Sequence, residues 1–148
     1  MDTRVKQRLA GFQTVLEERG RFRKTFVVTT EHPSSIELGG TLFRKLMEQS
    51  GEVPDAVFCC NDDLALGALF ESQRMGISVP SELGLCGFND FEVSAFTNPS
   101  LSSVSVPRYD MGVLAAEMVV EALSGSAPEQ KQRDLGFEVT LRQSTDYL

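Results

Sequence analysis

The spacing of apolar residues changes period several times along this chain, and that constrains the fold more than any other feature. Val5, Leu9, Phe12 and Leu16 recur at helical spacing, and Gly20 supplies a stop. KTFVVTTE, Lys24 to Glu31, then reads as a strand because it is rich in β-branched residues. After the loop HPSS the spacing predicts a second helix, with Ser34 and Glu37 in capping-box positions. Leu42, Phe43, Leu46 and Met47 give that helix a buried face, and Gly51 ends it. Ala56 to Cys60 form a short apolar strand, Asp62 to Met75 a third helix stopped by Gly76, and Leu83 to Phe88 another strand. Phe137 to Leu141 alternate as a last strand. Strands separated by helices need crossover connections, so the expected class is α/β with a doubly wound parallel sheet.

Composition removes several functions. With 148 residues the chain can build one core, and its 41% hydrophobic and 24% charged content is that of a soluble globular protein. The formal net charge is −7, and the one short basic cluster, RGRFRK from Arg19 to Lys24, reads as a solvated turn. Phosphate binding needs concentrated positive charge, so direct nucleic-acid binding by these residues is disfavoured. No apolar run has transmembrane length and no signal-peptide pattern opens the chain, so no membrane contact is expected. Cys59, Cys60 and Cys86 all lie in apolar segments, which suits a reducing, cytoplasmic compartment better than a disulfide framework.

The polar cluster Asn61, Asp62 and Asp63 sits where a strand becomes a helix. The carboxyl edge of an open α/β sheet is where ligands usually bind. The cluster can therefore be a helix cap, a catalytic acid pair or part of a small-molecule site. Asp62, Asp63 and Asp90 around Mg²⁺ would make a phosphoacceptor-like site, but no lysine follows a later strand to complete it. His32 is the sole histidine, which supports neither a zinc site nor a serine triad. Neither Cys59 nor Cys60 has the setting of a nucleophile. No metal, no cofactor and no enzymatic activity are expected.

One segment does not suit a closed domain. Within LSSVSVPRYDMGVLAAEMVVEAL, a short strand precedes a helix from about Asp110 to Leu123. Met111, Leu114, Ala115, Met118 and Ala122 form one apolar stripe, while Val113, Ala116, Val120 and Leu123 form a second. A helix apolar on two sides wants two packing partners, so the first stripe is a candidate interface. SGSAPEQKQRD, Ser124 to Asp134, reads as a linker.

Four pieces, in order along the chain, carry a family resemblance. They are RLAGF (Arg8 to Phe12), PDAVFCCNDDLALGALFESQRMGISVP (Pro54 to Pro80), GFND (Gly87 to Asp90) and NPSLSSVSVPRYDMG (Asn98 to Gly112). Together they resemble the effector-binding core of lactose/galactose-repressor transcription regulators, a fold shared with periplasmic sugar-binding proteins. NDDLALGALFE and DLGFEVTL look most like the gluconate-utilisation repressors. The resemblance implies a core of two subdomains joined by three crossovers. It places residues 1–100 in the C-terminal subdomain without its first helix and strand, and 101–124 in the N-terminal subdomain. Residues 125–148 are then a linker and a last strand returning to the C-terminal subdomain. It also implies that the helix-turn-helix touching DNA lies outside this chain.

The resemblance assigns Arg8, Asn61, Asn89 and Ser34 to effector binding, with Asp90 and Phe88 as secondary candidates. Taken alone, Arg8 reads as an exposed helix charge, and Asn61 as a cap. Asp62 and Asp63 then serve the helix dipole. Asn89 stands where many sugar-responsive members have an aspartate, and Ser34 where several have an aromatic ring. Loss of a negative charge near Arg8 favours an anionic ligand, and loss of the ring favours an open-chain polyhydroxy acid. The expected function is an effector-sensing, homodimeric part of a repressor that takes a sugar acid such as gluconate. A periplasmic-type sugar-binding protein is the alternative.

Overall fold

Each helix begins and ends where residue chemistry allows it. The computed structural model describes residues 2–125 and 132–146. Helix α1 (Thr3–Glu18) starts behind Asp2, whose carboxylate accepts from the Arg4 N–H. Helix α2 (Ile36–Ser50) starts behind Ser35, whose hydroxyl accepts from the Leu38 N–H, and ends at Gly51 with φ +72°. The cap is thus Ser35, one residue after the expected Ser34. Helix α3 (Asp62–Arg74) starts behind Asn61, and Gly76 with φ +73° follows its end. Helix α4 (Arg108–Leu123) follows Pro107.

Strands β1 (Ala56–Phe58), β2 (Gly84–Phe88), β3 (Ser102–Ser105) and β4 (Glu138–Thr140) form one sheet in that order. The first three run parallel, with α3 connecting β1 to β2 and a loop with one 3₁₀ turn (Glu92–Ala95) connecting β2 to β3, and β4 is antiparallel to β3. The α/β class and its parallel sheet are as expected, with β4 reversed at one edge and β1 at the other. Leu66 and Leu69 of α3, Phe43 of α2, Leu83, Leu85 of β2 and Leu101 form the buried core.

KTFVVTTE is not a strand. Lys24–Phe26 make a single 3₁₀ turn, and Val27 is extended but joins no ladder. β-branched residues report fit to a pleated surface, and a strand also needs a paired neighbour. Val27–Thr30 and Val57–Cys60 line the same cavity in place of pairing. Gln49 instead donates its side-chain amide to the carbonyls of Thr25 and Val27.

Helices α2 and α3 approach unusually closely. A Cβ on Gly67 would lie 2.6 Å from the Gly40 nitrogen and 2.7 Å from the Gly39 Cα, and closer still to the Ile36 carbonyl. A Cβ on Gly39 would lie 2.8 Å from the Leu64 Cα. Only glycine allows the two backbones to meet there.

No residue of α4 is buried, and Leu123 is 83% exposed. Of its first stripe, Leu114 and Met118 are half-buried while Met111, Ala115 and Ala122 are exposed. The expected linker falls largely on residues 126–131, outside the described residues.

Candidate functional site

Strands β1 and β2 run parallel, so their carboxyl ends lie on one edge of the sheet. At that edge β1 leads into Asn61 and β2 into Asn89. Both line a cavity of ≈ 570 Å³, together with Arg8 from α1 and Ser34 from the loop before α2. Four residues from four separate segments thus face one space. Phe12, Leu42, Leu46 and Val57 add apolar wall.

Arg8 is held by chemistry on the same edge. Its guanidinium carbon sits 4.2 Å over the Phe88 ring, and Phe12 one helical turn later stacks on Phe58 at 5.6 Å. These two contacts lay α1 across the ends of β1 and β2. The Arg8 Nε is buried and has no partner among the described residues. An unmade bond on a guanidinium N–H is costly, so it marks a donor waiting for an acceptor. Phe88 supports one face of the Arg8 guanidinium.

The Asn61 side chain divides its work. Its Oδ1 accepts from the Leu64 N–H at 3.1 Å, which caps α3 and fixes the rotamer. The amide NH₂ is what remains for a ligand, and it can only donate. The cap and the site are the same residue.

The two neighbouring acids do different things. Asp63 stays in the first turn of α3, as expected of a dipole-facing acid. Asp62 also lies in the first turn, as expected, but it is fully buried and its carboxylate bonds two groups outside the helix, which the sequence did not show. Its Oδ2 accepts from the Phe91 N–H and its Oδ1 from the Ser103 hydroxyl, both at 2.6 Å. A buried carboxyl group needs such partners to offset its lost hydration.

Asn89 and Asp90 both have positive φ, +106° and +53°, which is rare for residues with a Cβ. The Asp90 carboxylate accepts from Arg142 at 2.7 Å and from Thr140 at 3.2 Å. It therefore braces β4, and it does not line the cavity that Asn89 lines. Arg108, at the start of α4, donates to the Asn89 carbonyl at 2.6 Å. Arg108, Ser103 and Arg142 were not singled out from the sequence, and nothing local marks them. Their partners lie 19, 41 and 52 residues away.

The thiols are passive. Burial pushes Cys59 up to about 12 and Cys86 up to about 11, and burial also raises Cys60 although nearby Arg8 opposes it. None is a thiolate at neutral pH. Among the described residues, no three His, Cys, Asp or Glu gather into a metal site, and Asp62 and Asp90 have separate partners. No helix of the described residues is long and apolar enough to cross a membrane.

Residues 2–145 match the family described as periplasmic binding protein-like domain. The chain is 41% identical over 145 residues to the HTH-type transcriptional regulator GntR of Pseudomonas aeruginosa, covering 98% of this chain and 42% of that protein. It superposes on the crystal structure of transcription regulator GntR from Chromobacterium violaceum with TM-score 0.93 and 38% identity, covering 99% of this chain and 54% of that one. A transcriptional regulator CelR–cellobiose complex gives TM-score 0.84 at 28% identity, covering 93% and 41%. The chain thus spans less than half the length of the curated relatives it matches.

Proposed function

Since the chain belongs to the periplasmic binding protein-like domain family and its relatives are lactose/galactose-type transcription regulators, we propose that it senses a small polyhydroxy effector for such a regulator. One observation carries the reading. Arg8, Ser34, Asn61 and Asn89 come from four segments yet line one cavity, with the Arg8 Nε buried and unpaired. Every one of these groups can bond a hydroxyl or a carboxylate, and none is a nucleophile or a poised general base. We read the chain accordingly as a binding module.

The effector we favour is an open-chain sugar acid such as gluconate. Arg8 and the Asn61 NH₂ are donors, and a guanidinium fork matches a carboxylate. Asn89 places a neutral amide where an acid would repel the ligand. Effector binding would draw two subdomains together, with α4 reaching the second while Leu101 and β3 stay in this core and sheet, and so shift the DNA affinity of a helix-turn-helix elsewhere in a cytoplasmic homodimer. The bare apolar surface of α4 supports that assignment.

The test is a two-dimensional NMR titration of the chain with gluconate and, separately, glucose, up to millimolar ligand. Gluconate should shift the Arg8 Nε and the Asn61 and Asn89 side-chain amides more than glucose does. Shifts confined to other residues, or equal responses to both ligands, would refute the sugar-acid reading.

A further inference from the structure

Asn89 can serve an effector site only if the turn it heads keeps its shape. Two consecutive residues with side chains hold positive φ there, and such strain persists only when the surroundings over-determine it. The N–H groups of the turn are fixed one by one. Asn89 donates to the Val104 carbonyl at 2.9 Å, Asp90 to the Ser103 hydroxyl at 3.0 Å, and Phe91 to Asp62 at 2.6 Å.

Two of those three bonds lead to one carboxylate. A serine hydroxyl has a single proton, and Ser103 gives it to Asp62 Oδ1. Its lone pairs are therefore turned toward the Asp90 N–H. Asp62 thus holds Phe91 directly and Asp90 through Ser103, while itself fully buried. Gly87, two residues before Asn89, completes the fit. A Cβ there would collide with Asp62 Oδ1 and lie 3.2 Å from its Cγ.

We infer that Asp62 is a positioning residue of the effector site, whose buried carboxylate holds the Asn89–Asp90 turn in the left-handed conformation that keeps Asn89 on the cavity wall. The N-terminus of α3 then supplies one wall residue itself, Asn61, and braces a second through its neighbour. This extends the proposed function and rests on it for the ligand, though the turn can be examined without ligand.

The experiment is NMR on the wild type, Asp62→Ala, Asp62→Asn, Asn89→Ala and the Asp62→Ala/Asn89→Ala double variant. Without ligand, Asn89 and Asp90 of the wild type should show the strong intraresidue HN–Hα cross-peaks of positive φ. Asp62→Ala should lose them, and Asp62→Asn should keep them, since an amide oxygen still accepts from Phe91. With gluconate, Asp62→Ala should weaken binding about tenfold, as loss of one bond to a charged ligand does, and add nothing to Asn89→Ala. Cross-peaks that survive in Asp62→Ala, or losses that multiply in the double variant, would overturn the inference. If wild type ignores gluconate while Asp62→Ala still loses the cross-peaks, the sugar-acid reading falls and the brace stands. If Asp62→Ala does not fold, Ser103→Ala breaks the Asp90 branch alone, and persistence of the Asp90 cross-peak there overturns the inference.

Discussion

Gly67→Ala should destabilise this protein, although alanine is the better helix former. The added Cβ would sit 2.6 Å from the Gly40 nitrogen, whereas ordinary contact begins at 3.4 Å, so α2 and α3 must separate by at least 0.8 Å (3.4 − 2.6). The Ile36 carbonyl and Gly39 Cα, also close, are backbone like the Gly40 nitrogen, so no rotamer change gives relief. Overpacking of this kind costs on the order of 3 kcal/mol, at the upper end because backbone must move. Replacing glycine inside a helix returns about 1 kcal/mol. The net loss of about 2 kcal/mol is a large share of a typical domain's ~5–15 kcal/mol. With a urea slope near ~2 kcal/mol/M, the midpoint should fall by about 1 M. Gly11→Ala is the control, because its Cβ would meet nothing within 4 Å, and it should raise the midpoint or leave it unchanged. The separation also moves the start of α2, with Ser34 before it, away from Asn61, so gluconate shifts at both should shrink. A Gly67→Ala midpoint equal to or above wild type would refute the close-approach argument.

In a full-length regulator carrying this chain, Asn89→Asp should weaken gluconate about tenfold to a hundredfold relative to glucose, and Arg8→Ala should likewise hurt gluconate more; a charge ~5 Å away at a dielectric near ~20 is worth on the order of 3 kcal/mol before screening. Equal losses for both ligands in a paired titration would mean these residues only shape the cavity. Glu71 is nearly buried and paired with Arg44 at 2.8 Å, which holds its carboxyl below the usual glutamate range. A lowered folded value stabilises above the unfolded value and is lost as pH falls through the folded one. Urea melts should therefore show Glu71→Gln weaker than wild type at neutral pH, with the gap closing in acid; a pH-independent gap would exclude the ion pair as its cause. The apolar surface of α4 should drive two-fold self-association, which Met118→Glu should reduce. A monodisperse monomer of the wild type by sedimentation at high concentration would rule that out.

Much of the fold could be read locally. The helical spacing around Val5, Leu42 and Leu66, together with Gly20, Gly51 and Gly76, marks three helices and their stops within a few residues, because a helix bonds only to its own neighbouring turns. KTFVVTTE misled for the complementary reason. Its residues suit a strand, but pairing is a property of the neighbour, and it pairs with no strand of the described residues. The direction of β4 was equally hidden, since alternation fixes which side chains share a face and says nothing of strand polarity.

The site divides in the same way. The sequence by itself determined that a strand end meets a helix start at Asn61 and that GFND follows a second strand, and the motifs nominated Arg8, Ser34, Asn61 and Asn89. Only the tertiary structure decided what the acids do. Asp62 reaches Phe91 across 29 residues and Ser103 across 41, and Asp90 reaches Arg142 across 52. A carboxylate at a helix start looks the same in sequence whether it faces water or a buried hydroxyl, because its partner is chosen by the closing of the sheet and not by its neighbours in the chain.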